Sequence, residues 1–215
     1  MALDFTLYLV TDRSLMSSSS LETAVEQAIL GGCTMVQLRE KDISSDEFYN
    51  LAISIKSITD KYEVPLIIND RVDIALAVDS AGVHIGQHDL PVSIVRRIIP
   101  QNMILGVSVS TLQEAEKAVS DGADYLGVGA MFSTNTKTDA DVVSMQTLLQ
   151  IRKSVRIPIV AIGGIKKENA SMFKSAGVDG LAVVSAIISQ PDIRASAWDL
   201  KKSFQKCKFS RRFQL

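Results

Sequence analysis

Hydrophobic positions along the chain alternate between two patterns. Short, largely apolar runs recur at Thr6–Thr11, Cys33–Leu38, Leu66–Ile68, Val83–Ile85, Ile104–Val107, Tyr125–Val128, Ile159–Ile162 and Gly180–Val184. Runs that are apolar on both phases predict strands covered on both faces. Between them the apolar residues take helical spacing, as in Leu21, Ala24, Val25, Ala28 and Ile29, then Phe48, Leu51, Ala52, Ile55 and Ile58, then Val72, Ala75, Leu76 and Val78. Ser19 with Glu22, Ser44 with Glu47 and Thr111 with Glu114 have the spacing of helix-starting capping boxes. Pro91 suits the first turn of a helix over Val92–Ile99, and Gly31-Gly32, Gly82, Gly122 and Gly177 mark helix ends. Further helices are predicted over Met145–Arg152, over Lys166–Ser175, and from Ser185 past Trp198.

Eight strands alternating with helices predict an α/β protein with a parallel sheet. Eight such units in about 210 residues fit a single-domain (β/α)8 TIM barrel better than an open, doubly wound sheet. The barrel is expected over residues 1–205, with a basic C-terminal tail over 206–215. A helix-end phrase recurs before strands, in Ala81-Gly82-Val83, Asp121-Gly122-Ala123-Asp124 and Ala176-Gly177-Val178-Asp179. Its uneven spacing marks a repeated solution to one turn and not a solenoid period. The stretch from Gly129 to about Val143 is threonine-rich and lacks an apolar period, which suits a functional loop.

Composition narrows the classes of partner. A hydrophobic content of 47% and a charged content of 22% are those of an ordinary globular chain. A formal net charge of −1 provides no long-range field for nucleic acid or an anionic membrane, so an anionic substrate must be met by local cations. Two cysteines, Cys33 and Cys207, build neither a disulfide scaffold nor a zinc site, which predicts a reduced, cytoplasmic setting. No signal peptide is expected, and no apolar run approaches the ~20 residues of a membrane span.

The unusual polar residues fall just past the strands, at the face where barrels of this class carry their sites. After the second strand come Gln37, Arg39 and Lys41, two apart and therefore on one side of an extended chain. Asn69 and Asp70 follow the third strand, Gln87 and Asp89 the fourth, and Ser108 the fifth. Thr134, Thr136 and Lys137 follow the sixth, Gly163-Gly164 the seventh and Ser185 the eighth. Neighbouring strand ends lie ~4.8 Å apart, so Asp70 and Asp89 are able to share one divalent cation, Mg²⁺ being the one that keeps waters and phosphate partners. Arg39 suits a phosphate as a bidentate fork, and Lys41 and Lys137 as point charges. Gly163-Gly164 and the helix start at Ser185 suit a second anion held by backbone N–H groups. Plainer readings stand beside these: Asp70 as a helix cap, Asp89 as a turn residue, Arg39 and Lys41 as a solvated loop. His84 reads as a hydrogen-bonded core histidine and His88 as an exposed turn residue.

Eight stretches, in order, are similar to the thiamine-phosphate synthase family: LYLVTD (Leu7–Asp12), QLREK (Gln37–Lys41), IND (Ile68–Asp70), VHIGQHD (Val83–Asp89), GVSVS (Gly106–Ser110), FSTNTKTD (Phe132–Asp139), AIGGI (Ala161–Ile165) and VSA (Val184–Ala186). The resemblance implies a transferase that joins 4-amino-2-methyl-5-hydroxymethylpyrimidine diphosphate to 4-methyl-5-(2-phosphoethyl)thiazole and releases pyrophosphate. It assigns Gln37, Arg39, Lys41, Asn69, Ser108 and Lys137 to the pyrimidine diphosphate, with Arg39, Lys41, Ser108 and Lys137 carrying the catalysis. It assigns Asp70 and Asp89 to Mg²⁺, and Thr134, Thr136, Gly164, Val184 and Ser185 to the thiazole phosphate. Small-molecule substrates are the implied partners, and a homo-oligomeric state is left open. His88 stands where the family often has an acidic residue, and Ser133 where proline is common. A thiazole tautomerase paralogue, a phosphosugar isomerase and a non-catalytic binding or regulatory protein of the thiamine pathway are the alternatives. The Gln37-Arg39-Lys41 set with both aspartates argues against the tautomerase, and the presence of both aspartates and Lys137 against a non-catalytic protein. The two separate anion sites argue against the isomerase, which would want a catalytic Glu or Lys at a strand end.

Overall fold

The computed structural model of the chain describes residues 3–133 and 142–206. Eight parallel strands close on themselves in chain order: β1 (Leu7–Val10), β2 (Met35–Leu38), β3 (Leu66–Asn69), β4 (Gly82–Ile85), β5 (Ile104–Val109), β6 (Tyr125–Val128), β7 (Ile159–Ile162) and β8 (Gly180–Val183). Among the described residues the helices are α1 (Leu21–Leu30), α2 (Ser45–Lys61), α3 (Val72–Ala77), α4 (Val92–Ile98), α5 (Leu112–Ser120), α6 (Met145–Ser154), α7 (Ala170–Ser175), α8 (Ser185–Ile188) and α9 (Ile193–Gln205). The (β/α)8 barrel expected from the alternation is the fold. No described helix is long and apolar enough to cross a membrane.

Each strand has two buried phases, and this is why the runs are apolar throughout. One phase fills the barrel interior with Tyr8, Val10, Met35, Ile67, Tyr125, Val160 and Ala182. The other, including Leu9, Val36, Ile68, Val83, Leu105 and Leu126, packs under the helices. The barrel interior thus places side chains of alternate residues at the C-terminal rim, where the candidate site lies.

Ser44 with Glu47 and Thr111 with Glu114 form the expected capping boxes. α1 begins one residue later than its sequence signature suggested: Ser20, not Ser19, accepts from the backbone N–H of Thr23. The helix predicted from Lys166 begins only at Ala170, because the Asn169 side chain accepts from the Lys166 N–H and holds that stretch as turns. Pro91 occupies the N-cap of α4.

The recurring helix-end phrase has a structural counterpart on the opposite, N-terminal face. Asp124 Oδ2 accepts from the Leu105 N–H at 2.8 Å and from Arg96 at 3.0 Å. Asp179 Oδ2 repeats this with the Ile159 N–H at 2.8 Å and Arg152 at 3.1 Å. In each case a carboxylate supplies the acceptor that an N–H at the start of a barrel strand needs. These charges stabilise the far end of the barrel and take no part in the site.

Candidate active site

The C-terminal mouth of the barrel opens into a cavity of about 380 Å³. Its wall contains Gln37, Arg39, Lys41, Asn69, Asp70, Asp89, Ser108, Gly164, Val184 and Ser185. Thr134, Thr136 and Lys137 lie outside the described residues. The two flanks of that segment are at the mouth: Ala130 lines the cavity, and the Val143 N–H donates to the Ala130 carbonyl at 2.7 Å.

On the β2 side, Gln37 is buried and its Nε2 donates to Tyr8 Oη at 2.8 Å. The Arg39 N–H is fixed by Thr11 Oγ1 at 3.0 Å, with its guanidinium 3.7 Å from Asp12. Lys41 donates its ammonium to the Asp70 carboxylate. Asp70 has a φ of 60°, in the left-handed region that aspartate tolerates better than most side chains. Its N–H donates to the His84 carbonyl at 2.8 Å, which ties the turn to β4. The capping reading of Asp70 fails, because the N-cap of α3 is Arg71 and no side chain caps that helix.

On the β4 side, Asp89 Oδ2 accepts from the Gly86 N–H at 2.7 Å, so this carboxylate also closes the turn that carries it. Burial, opposed by that N–H, holds the Asp89 carboxyl above the usual carboxylate range, and the neighbouring Asp70 carboxyl pushes it further up. A carboxyl whose proton affinity is raised by a neighbouring carboxylate is one that a cation relieves. Among the described residues no group of three or more His, Cys, Asp and Glu gathers anywhere. Two carboxylates alone do not make a zinc site, but they fit Mg²⁺, which takes its remaining oxygens from water and phosphate. Gln87 donates to the Ser108 carbonyl at 2.7 Å and joins the β4 and β5 rims, while His88 is exposed.

The β7–β8 side is built from backbone. Gly163 and Gly164 have φ values of 96° and 63°, and a Cβ on Gly164 would stand 2.6 Å from Cβ of Phe132. Only glycine lets this turn pass so close to the segment after β6. Val184 is the N-cap of α8, whose first-turn N–H groups have no intrahelical acceptors.

His84 is the hydrogen-bonded core histidine its place in the strand suggests, but three of the residues at this cavity are not marked by the sequence as lining it: Tyr8, Lys166 and His84. The sequence places Lys166 on a helix, whereas it lies in the turns before α7. Tyr8 and His84 stand on the inner phase of strands whose two phases look alike in sequence.

A closed barrel whose mouth joins a cation- and carboxylate-lined wall to a backbone-lined wall defines a barrel enzyme suited to phosphorylated substrates. The comparisons with known proteins narrow this. Residues 7–187 match the family described as thiamine monophosphate synthase, and the chain belongs to that family. It is 61% identical over 204 residues to the thiamine-phosphate synthase of Clostridium beijerinckii, covering 95% of this chain and 98% of that one. Among solved structures it is similar to a thiamine phosphate pyrophosphorylase from Pyrococcus furiosus, with a TM-score of 0.87 and 40% identity, covering 94% of this chain and 96% of that one. A 3-hexulose-6-phosphate synthase at 16% identity and a TM-score of 0.67, covering 92% and 99%, shares the barrel alone.

Proposed function

We propose that this chain is a thiamine-phosphate synthase, joining the pyrimidine diphosphate to the thiazole phosphate with release of pyrophosphate. The observation that carries the reading is the convergence of Lys41, Asp70 and Asp89 at one rim of a mouth whose other rim is a glycine turn and a helix start. A tautomerase or a simple phosphosugar barrel has no use for the first of these rims.

Asp70 and Asp89 would hold Mg²⁺, which supplies charge neutralisation to the diphosphate when bound. Arg39 and Lys41 would bind the same diphosphate, Arg39 by its planar fork and Lys41 by exchanging its Asp70 partner for phosphate oxygen. Lys137 would add a further cation to the leaving group. The pyrophosphate departs with the bonding electron pair of its C–O bond, leaving a benzyl-like pyrimidine cation stabilised by its own amino group. The thiazole nitrogen then donates its lone pair to that carbon. No general base is required, and the work of the protein is charge stabilisation and placement. Gln37, Asn69 and Ser108 would hold the pyrimidine. Gly164, Val184 and Ser185, with Thr134 and Thr136, would hold the thiazole phosphate. The reduced, buried Cys33, whose thiol burial pushes up to about 12, accords with a cytoplasmic setting.

The test is to incubate the protein with both substrates and Mg²⁺, with and without a chelator, and assay for thiamine phosphate. Formation of product that stops with chelator supports the reading. No product in the presence of Mg²⁺ rejects it.

A further inference from the structure

At the floor of the cavity, five side chains from five strands form one hydrogen-bond chain, with Tyr125 beneath the other four. Gln37 Nε2 donates to Tyr8 Oη at 2.8 Å, Tyr8 Oη lies 2.9 Å from Tyr125 Oη, Tyr125 Oη lies 2.8 Å from His84 Nδ1, and His84 Nε2 lies 2.8 Å from Ser108 Oγ. The three inner members are buried, at 1%, 0% and 7% exposure for Tyr8, Tyr125 and His84. Both ends, Gln37 and Ser108, line the cavity. Two strands make room for the rings. A Cβ on Gly106 would fall 2.1 Å from the Tyr125 ring, and one on Gly127 would fall 3.2 Å from Cε1 of His84. Apolar side chains would fill a barrel interior without the desolvation cost that polar groups carry, so a polar chain persists there only if fully satisfied.

Such a chain has a direction. A phenol carries one proton and a neutral imidazole carries one N–H. With the Gln37 amide nitrogen donating to Tyr8, Tyr8 passes its own proton to Tyr125, and Tyr125 passes its proton to His84 Nδ1. The His84 N–H is then on Nε2 and points at Ser108, which accepts it. The Ser108 hydroxyl proton is left for the cavity, and so is the Gln37 carbonyl oxygen. Burial holds both phenols above their ordinary range, so neither breaks the order by ionising. The reverse order requires Gln37 to turn over and present its NH₂ group, with Ser108 donating inward.

We propose that Tyr8, Tyr125 and His84 are positioning residues that set Gln37 as an acceptor and Ser108 as a donor, so that the cavity selects a 4-aminopyrimidine over its 4-oxo counterpart. The inference rests on the pyrimidine diphosphate being a substrate and adds how it is told from a near-isostere. A 4-aminopyrimidine offers an exocyclic N–H donor and ring-nitrogen acceptors. A 4-oxo ring replaces the donor by a carbonyl and protonates a ring nitrogen, so it opposes both ends of the chain. Sites that hydrogen-bond a polar group reject a ring of the wrong polarity far better than apolar pockets reject a size change.

Two measurements test this. Imidazole ¹⁵N NMR of the protein alone reads the chain order, and only His84 and His88 contribute, with a His88→Gln variant assigning them. The proposal expects a pyridine-type signal at Nδ1 and a pyrrole-type signal at Nε2 of His84. The opposite tautomer, or a doubly protonated ring, overturns it. Binding competition between the 4-amino and 4-oxo pyrimidine diphosphates, measured as affinity so that the amino group's own stabilisation of the cation does not count, reads the consequence. The wild type should prefer the amino compound by about a hundredfold or more. Tyr125→Phe keeps the ring and cuts the chain, and it should lower that preference at least about tenfold, with KM for the thiazole phosphate unchanged. An unchanged preference overturns the proposal. If the wild type turns over neither compound, the assigned function fails, while the tautomer still decides the order of the chain.

Discussion

Lys41 donates its ammonium to the carboxylate of Asp70 across the rims of β2 and β3. The contact ties a cation suited to phosphate to a carboxylate suited to metal, and neither side chain is spent on capping a helix. The Asp70 side chain does not cap α3, and the Lys41 ammonium is spent on Asp70. Under the proposed function, a bound diphosphate and its metal would separate the pair.

Removing a cation assigned to the diphosphate should damage turnover more than binding. Arg39→Ala and Lys137→Ala are each expected to lower kcat by roughly 10²–10³, the scale for loss of one preorganised electrostatic donor. Steady-state kinetics with both substrates checks this. Near-full activity in both variants would remove the leaving-group role.

The charges on the far face predict the reverse pattern. Asp124→Ala leaves the Leu105 N–H and Arg96 without their carboxylate, and an unsatisfied buried backbone donor costs about 1–3 kcal/mol. Denaturant unfolding should show that loss while kcat stays within about twofold of wild type. A matching collapse of kcat at full folding would contradict the division of the barrel into a stability face and a chemical face.

Glu40 couples the site rim to pH. Its side chain is only 7% exposed, and Arg13 Nε lies 2.9 Å from Oε1 as an ion pair not aligned as a hydrogen bond, so that oxygen has no hydrogen-bond partner. Burial holds the Glu40 carboxyl above the usual range, with Arg13 opposing. The native group therefore binds its proton more tightly than the unfolded one, and its ionisation costs stability as pH rises from about 4.3, the unfolded value, through the native value. Glu40→Gln does not titrate. Its melting temperature relative to wild type should become more favourable between pH 4 and pH 7, and a gap that is flat or moves the other way would be contrary.

Much of this was legible in the sequence because two signals coincide: fully apolar strand runs, and odd polar residues placed just past them. Asp70, Asp89, Arg39 and Lys41 stood out for that reason. The interior of the barrel did not. Strands of four residues buried on both phases give no period that separates Tyr8 from Leu7, or His84 from Val83, so the chain through Tyr125 was invisible until the register paired Gly106 with Tyr125 and Ser108 with Gly127. The start of α1 slipped by one residue because adjacent serines compete for the cap. The Lys166 turn was hidden by good helix formers on either side, and the φ of Asp70 leaves no mark in composition.

The most direct test of two anion walls with separate means of binding is calorimetry on Asp89→Asn. Loss of a group that merely orients a metal ligand costs about 10–100-fold in affinity, so loss of a ligand should cost at least about tenfold. Mg²⁺-dependent binding of the pyrimidine diphosphate should weaken by that much, with binding of the thiazole phosphate nearly unchanged. Equal weakening of both, or of neither, would contradict the account.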